Sequence, residues 1–125
     1  MADLIYKDEV FAIIGAAMEV HRHLRNGFAE AVYQEAMELE LRSRSVPFER
    51  QKHLAIVYKD VLLKKTYVAD VVCYGQIIIE LKSQPAITKL DIAQALNYLR
   101  ITKLKLALIV NFGDASNLEW QRLIN

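Results

Sequence analysis

The chain has 125 residues, of which 54% are hydrophobic and 25% charged, and its formal net charge at pH 7 is +1. These values suit one globular domain with one buried core, and we predict a single domain over residues 1–125. The near-neutral charge counts against an overall basic surface for nucleic acid, but a local basic groove remains compatible with it.

Secretion, disulfide pairing and membrane insertion are not expected. Cys73 is the only cysteine, so an intrachain disulfide is impossible and a cysteine-based zinc site is not predicted. The N-terminal segment, with Asp3, Lys7 and Asp8, lacks the basic-then-apolar order of a signal peptide. No apolar run approaches the ~18 residues of a membrane span. We therefore expect a cytoplasmic protein without membrane contact.

Two helices are predicted before the first proline. Residues 8–25 place apolar side chains at helical spacing, and Asn26 with Gly27 provides a stop, since both tolerate the left-handed cap conformation. Residues 29–44 separate polar and apolar positions onto different faces of a second helix.

From Phe48 onward the hydrophobic period changes to two, which is typical of strands. The predicted strands before the next helix are 48–58, 61–65, 67–73 and 77–82. A third helix over 88–101 and a buried strand over 105–112 follow, and the tail 118–124 is a candidate edge strand. The order α-α-β-β-β-β-α-β predicts an α+β fold, a mixed central sheet flanked by helices.

The hairpin over residues 67–82 contains only three charged residues, Asp70, Glu80 and Lys82. A turn centred on Gly75 places Asp70 directly opposite Glu80, on a face shared with Lys82, while the reverse face, which includes Ala69 and Val71, is apolar and predicted to be buried. Directly opposed Cβ atoms lie roughly 5 Å apart. Two carboxylates at that separation repel by roughly 3 kcal/mol at an effective dielectric near 20.

Two interpretations of this hairpin stay open. In one, a divalent cation such as Mg²⁺ neutralises Asp70 and Glu80, and Lys82 holds the attacking water or stabilises negative charge. In the other, the strand ends are solvated and Lys82 pairs with Glu80. A one-residue change in turn length would take the carboxylates out of register.

Asp70, followed on the next strand by Glu80-Leu81-Lys82, resembles the D…(D/E)XK motif of the PD-(D/E)XK nuclease superfamily, with Ala69 where the motif often has proline. The element order also resembles the restriction-endonuclease-like core of that superfamily, with helix 8–25 as an addition.

Two further motifs add to the resemblance. The segment Gly-Phe-Ala-Glu-Ala-Val-Tyr, from Gly27 to Tyr33, resembles the signature of the GxxExxY family within the superfamily, and the likeness extends over essentially the whole chain. Asn26 stands where that family often has a small residue or proline. Gln94 and Tyr98 resemble the QxxxY helix of lambda-exonuclease-like members, and residues four apart share a helix face.

The resemblance implies a role for each matching position. Asp70, Glu80 and the backbone carbonyl of Leu81 would bind Mg²⁺ or Mn²⁺, and Lys82 would be the catalytic lysine. Glu30 would bind a second metal or orient a metal-bound water, acting with Asp70 and Glu80 in catalysis. A plainer interpretation of Glu30 is that a carboxylate in the first turn is favoured by the helix dipole.

Gln94 and Tyr98 would bind substrate, although an ordinary half-buried polar pair is the alternative. The histidines are not predicted to form a metal site, because His21 and His23, two apart on a helix, point to different sides, and His53 lies on a strand. A basic stretch near the second helix is expected to be solvated surface. It comprises Arg42, Arg44, Arg50 and Lys52.

The leading hypothesis is a Mg²⁺- or Mn²⁺-dependent nuclease that hydrolyses phosphodiester bonds, with DNA favoured as substrate. The alternative is a catalytically inactive module of the same fold that binds nucleic acid or a protein partner, which the near-neutral charge and small size favour. Association as a homo-oligomer or with a larger partner protein stays open.

Overall fold

The computed structural model describes residues 4–125, so Asp3, which entered the signal-peptide prediction, lies outside the described residues. Three helices and five strands follow one another in this part of the chain. Their bounds are α1 Lys7–Leu24, α2 Glu30–Ser43, β1 Phe48–Tyr58, β2 Val61–Cys73, β3 Ile77–Lys82, α3 Lys89–Thr102, β4 Leu106–Asn111 and β5 Glu119–Ile124. The predicted α+β class, with helices flanking a mixed sheet, is confirmed. No helix among these residues is long and apolar enough to cross a membrane.

One strand boundary differs from the prediction. The segments 61–65 and 67–73, predicted as separate strands, form the single strand β2. Thr66, the residue between them, pairs with Ala55 of β1, and the register shifts between Ala55 and Val57. The strand therefore accommodates a local irregularity without a break, because pairing with β1 continues on both sides of it.

The sheet has the strand order β1-β2-β3-β4-β5. The first three strands form an antiparallel meander, β4 runs parallel to β3, and β5 pairs antiparallel to β4 at the edge. The tail is therefore an edge strand, as the sequence indicates. Because β3 and β4 are parallel, Lys82 and Asn111 meet at their carboxyl ends.

Two apolar clusters sandwich the sheet. On one face α1 and α2 contribute Ile13 and Tyr33, which pack with Ile79. On the other face α3 contributes Leu99, which packs with Ile78. Each face of the central strands is thus covered, which explains why β4 is buried along its whole length.

Alternation between the two faces is interrupted within β2. Ala69 is fully buried, but it packs in the α3 cluster with Tyr67 and Val72, whereas Val71 packs toward α1 and α2. The prediction that Ala69 shares a face with Val71 is therefore wrong, because strict two-residue alternation does not hold across this segment. Asp70 lies at the interruption.

Asn111 ties the loop after β3 to β4 and β5. Its side chain is fully buried. Its Oδ1 accepts the backbone N–H groups of Gln84 and Gly113 at 3.0 and 3.1 Å. Its Nδ2 donates to the Gln84 carbonyl and to the Glu119 carboxylate, both at 2.9 Å. With every polar atom of the amide bonded, this side chain positions the backbone that follows Lys82.

We expect Gly113→Ala to destabilise the fold, because a Cβ at this position would lie 1.8 Å from the backbone oxygen of Gln84. Overpacking against backbone of this kind costs about 3 kcal/mol. Urea denaturation measures the loss. Gly75→Asn is the control, since nothing lies within 4 Å of its added Cβ and its φ of +67° suits asparagine. Equal stability of the two variants would contradict the close packing at Gly113.

Candidate active site at the β2–β3 fork

Strands β2 and β3 separate where the candidate residues lie. Their ladder keeps the predicted register as far as Val71 and Ile79 and ends there, one residue before the predicted pair. The direct cross-strand pairing of Asp70 with Glu80 is therefore not formed. We call the opening beyond this point the β2–β3 fork.

Side chains bond the backbone groups that the end of the ladder leaves without a strand partner. The N–H of Leu81 donates to Oδ2 of Asp70 at 2.8 Å. The carbonyl of Asp70 accepts from Nε2 of Gln34, on α2, at 2.9 Å. Buried backbone polar groups need such partners. Gln34 thus positions Asp70, a role that the sequence analysis did not assign. Its only signal was its place four residues after Glu30, on the same helix face.

The carbonyl of Leu81 faces the fork. The carbonyl of Lys82 accepts the N–H of Phe112 at 2.8 Å, on the β4 side of the strand. Because successive residues of a strand direct their polar backbone groups to opposite sides, those of Leu81 face β2. The bond from the Leu81 N–H to Asp70 agrees with this direction.

Burial is the main electrostatic feature of the two strand carboxylates. Burial raises the pKa of Glu80 to about 7. The negative charge of Glu30 raises this pKa further, whereas the positive charge of Lys82 and the backbone N–H of Asp70 lower it. Oε1 of Glu80 is buried and has no hydrogen-bond partner among residues 4–125. Burial likewise raises the pKa of Asp70, opposed by the Leu81 N–H and by Lys82.

The predicted repulsion between Asp70 and Glu80 is not what raises their pKa values. Burial is the first cause for both groups, and the carboxylate that further raises the pKa of Glu80 is Glu30 rather than Asp70. The strands diverge before the two side chains become a direct pair. The main cost of ionising Glu80 is therefore desolvation, since a buried charge without partners is strongly unfavourable.

Lys82 is held from α3. Its Nζ lies 3.8 Å from Oδ1 of Asp91, the only carboxylate within salt-bridge distance of it in the described part of the chain. The pairing of Lys82 with Glu80, one of the two interpretations of the hairpin, is not formed. Lys82 nevertheless lowers the pKa values of Glu30, Asp70 and Glu80, so its charge reaches all three carboxylates.

Asp91 itself is fixed by the start of α3. Its Oδ2 accepts the N–H of Thr88, and the Thr88 hydroxyl accepts the N–H of Asp91, which completes a capping box. Gln84 also donates to this carboxylate. Although burial opposes it, these hydrogen bonds hold the pKa of Asp91 below its usual value. Asp91 is not among the residues predicted from the sequence, although the Thr-x-x-Asp capping pattern of Thr88 and Asp91 is a signal for it.

Glu30 reaches the fork from the first turn of α2. Burial raises its pKa, which Lys82 opposes and which Asp70 and Asp91 reinforce. The structure therefore brings Glu30, Asp70, Glu80 and Lys82 together, as the motif implies. An open cavity of about 540 Å³ lies beside them. Its lining includes Glu30, Gln34, Glu38, Arg50, Asp70 and Leu81.

Gln94 and Tyr98 of α3 have different surroundings. Tyr98 is half-buried and stacks on Tyr67 of β2, with ring centroids 3.5 Å apart and an interplanar angle of 9°. Gln94 is exposed, and its side chain forms no hydrogen bond within residues 4–125. Tyr98 therefore packs between α3 and β2, and substrate contact by Gln94 and Tyr98 stays a prediction.

The carboxylates do not form a complete cage of side chains. Within residues 4–125, no three His, Cys, Asp or Glu side chains are grouped to hold a metal ion. A cation at the fork would therefore depend on two carboxylates together with the main-chain oxygen of Leu81.

Comparison with known proteins agrees with this geometry. A family model described as the PD-(D/E)XK nuclease superfamily matches residues 7–123, a range that contains the whole fork and the helices beside it. No curated protein and no solved structure matched the chain. The chain belongs to the PD-(D/E)XK nuclease superfamily.

Proposed function

We propose that this protein is a metal-dependent nuclease that hydrolyses phosphodiester bonds of nucleic acid, with DNA favoured, and that it is a GxxExxY member of its superfamily. The observation that carries the proposal is the buried Glu80 carboxylate, whose Oε1 lacks a partner among the described residues, beside Asp70 and Lys82 at the fork. Membership of a nuclease superfamily supports it further.

The residues at the fork fit a hard divalent cation. The carboxylates of Asp70 and Glu80 and the carbonyl of Leu81 are oxygen ligands, the type that Mg²⁺ and Mn²⁺ prefer. A cation would also compensate the desolvated Glu80 carboxylate. Bound there, Mg²⁺ or Mn²⁺ would supply the positive charge that neutralises the phosphate and acidifies a water molecule.

The other residues of the fork would act on water and phosphate directly. Lys82, held by Asp91, would donate to the attacking water or to a phosphate oxygen and so stabilise negative charge as it develops. Glu30 would accept a hydrogen bond from the water and orient it. Gln94, exposed on α3, would contact the nucleic-acid backbone. Gln34 would keep Asp70 in place by donating a hydrogen bond to the backbone carbonyl of Asp70.

We expect Lys82→Ala to reduce cleavage of DNA or RNA by about 10²- to 10³-fold with Mg²⁺ or Mn²⁺, because it removes the cation that faces the reacting phosphate. Asp70→Asn should reduce it at least as much. Cleavage of labelled single- and double-stranded substrates measures both.

Lys105→Ala is the matched control for this assay. Lys105 is exposed and precedes β4, at the end of the sheet opposite Lys82, so this variant should cleave normally. If the unmodified protein cut none of these substrates, or if Lys82→Ala cut as fast as the control, the proposal would be wrong.

In chelator-treated protein, we expect Glu80→Gln to increase the free energy of unfolding at pH 8.5 but hardly at pH 4.5. The folded pKa of Glu80 is about 7 against an ordinary value of 4.5, so ionisation increasingly opposes folding as the pH rises through this range. The shift corresponds to about 3 kcal/mol once the group is fully ionised. Urea denaturation at the two pH values measures the difference.

Glu35→Gln is the control for this comparison, because Glu35 is an exposed glutamate of α2 and its replacement should leave stability unchanged at both pH values. Adding Mn²⁺ should stabilise the unmodified protein more than Glu80→Gln, since binding to the folded state alone stabilises it. An equal gain from Glu80→Gln at both pH values would contradict the assignment of a desolvated carboxylate.

A non-catalytic module of the same fold is the second candidate function. It is favoured by the lack of a ready group of three metal-ligating side chains in residues 4–125. Calorimetric titration with Mg²⁺ and Mn²⁺ separates the two candidates. For a nuclease we expect metal binding that disappears in Asp70→Ala, whereas the absence of any metal affinity in the unmodified protein would favour the module.

A further inference from the structure

The β1–β2 hairpin extends well beyond the rest of the sheet. β2 pairs with β3 only over Val71–Cys73, yet it pairs with β1 as far back as Val61. We call residues 53–69 the β1–β2 arm. Its base adjoins Asp70, and the stacking of Tyr67 on Tyr98 fastens that base to α3. The arm therefore projects from the fork itself.

The arm concentrates positive charge that is left unneutralised. It contains three lysines, one aspartate, no arginine and no glutamate, in a chain whose formal net charge is only +1. Lys64 and Lys65 are exposed, and neither lies within 4.0 Å of a carboxylate in the part of the chain that the structure describes.

The basic stretch noted from the sequence differs in this respect. Arg50 pairs with Glu38 at 3.0 Å and Lys52 with Glu49 at 2.8 Å. These cations are matched by glutamates of the same surface, so they contribute little net field. The unpaired lysines of the arm are better placed to bind an anion.

A bulge presents the two lysines. Between the pairs Ala55–Thr66 and Val57–Leu62, β1 contributes one residue and β2 contributes three, among them Lys64 and Lys65. A bulge bends the strand and redirects side chains at that point. At ~3.3 Å per residue, these lysines lie roughly 17–20 Å along the strand from Asp70. Along the axis of a B-form duplex the phosphates of one strand recur about every 3.4 Å, so the lysines would lie level with phosphates about five or six base pairs from the fork on a duplex aligned with the arm.

The tip of the arm is a tight turn flanked by exposed apolar side chains. Lys59 and Asp60 have φ of +46° and +67°, the conformation of a tight turn that fits the twist of a hairpin. Beside the turn, Tyr58 is 60% exposed and Leu62 is 66% exposed. Aromatic and apolar side chains next to lysines suit contact with bases, whose faces stack on such groups while lysines bind the phosphates.

We propose that the β1–β2 arm binds the nucleic-acid strand that occupies the fork, with Lys64 and Lys65 on its phosphates and Tyr58 at the tip against its bases. The inference rests on the proposed function for the identity of the ligand. Charge complementarity favours nucleic acid, rather than a second copy of this chain, as the ligand of the arm, because two basic arms would repel each other.

The test measures nucleic-acid binding by fluorescence anisotropy in the Lys82→Ala background with Mg²⁺. The ligands are single- and double-stranded DNA and RNA of about 20 nucleotides, a length that exceeds the reach of the arm. Adding Lys64→Glu with Lys65→Glu should weaken binding about tenfold or more, and should reduce the slope of log affinity against log salt by about 2. Lys64→Gln with Lys65→Gln should give a smaller loss, which separates lost contacts from reversed charge.

Lys103→Glu with Lys105→Glu is the matched control. It makes the same change in net charge at exposed lysines before β4, whose first residue pairs with the start of β3, opposite the fork. Its affinity and salt slope should stay those of the parent. Thermal melts of all variants confirm that each one folds.

Three results would overturn the assignment of the arm. The first is unchanged affinity in the charge-reversed variant, and the second is a parent protein that binds none of the four nucleic acids. The third is a doubled mass by light scattering that Leu62→Glu abolishes, which would make the arm an interface between copies. The nuclease proposal fails separately: loss of binding on charge reversal, with no cleavage by the unmodified protein, supports the arm and contradicts catalysis.

Discussion

The hydrogen bond from the Leu81 N–H to the Asp70 carboxylate, at 2.8 Å, governs the architecture around it. The Asp70 side chain accepts the Leu81 N–H, which the backbone of β2 would otherwise accept. The two strands can therefore separate beyond Val71 without leaving this group unbonded. The separation opens the fork and directs the Leu81 carbonyl into it. It also lets β2 continue with β1 alone, so the arm and the fork are consequences of the same divergence.

The residues around the fork are held by elements that are themselves tied together. Asn111, fully buried, fixes the loop that leaves Lys82, and the capping box of α3 fixes Asp91, which lies against the Lys82 cation. Gln34 fixes Asp70 from the opposite face of the sheet. Each contact on its own is ordinary, but together they limit the freedom of charged side chains at one point, as a preorganised site requires.

Charge in this protein is segregated in a way that its net value conceals. Carboxylates cluster at the fork, where burial raises the pKa values of Asp70 and Glu80. Lys64 and Lys65, which lack ion-pair partners among residues 4–125, lie on the arm next to the fork. A formal net charge of +1 is therefore compatible with nucleic-acid binding, because a phosphate backbone responds to the local field and the rest of the surface compensates.

The sequence by itself determined the helices, the strands apart from the break placed within β2, the register of the β2–β3 hairpin and the acidic and basic residues of the motif, because these follow from local periodicity, turn residues and spacing. Only the tertiary structure decided that the ladder stops before Asp70 and Glu80 pair, that burial outweighs their repulsion, and that 61–73 is one strand. It also decided the roles of Gln34 and Asp91, which act on residues 36 and 9 positions away. Contacts between separate elements depend on how the helices pack on the sheet. A local sequence pattern does not specify which residues of two distant segments come into contact.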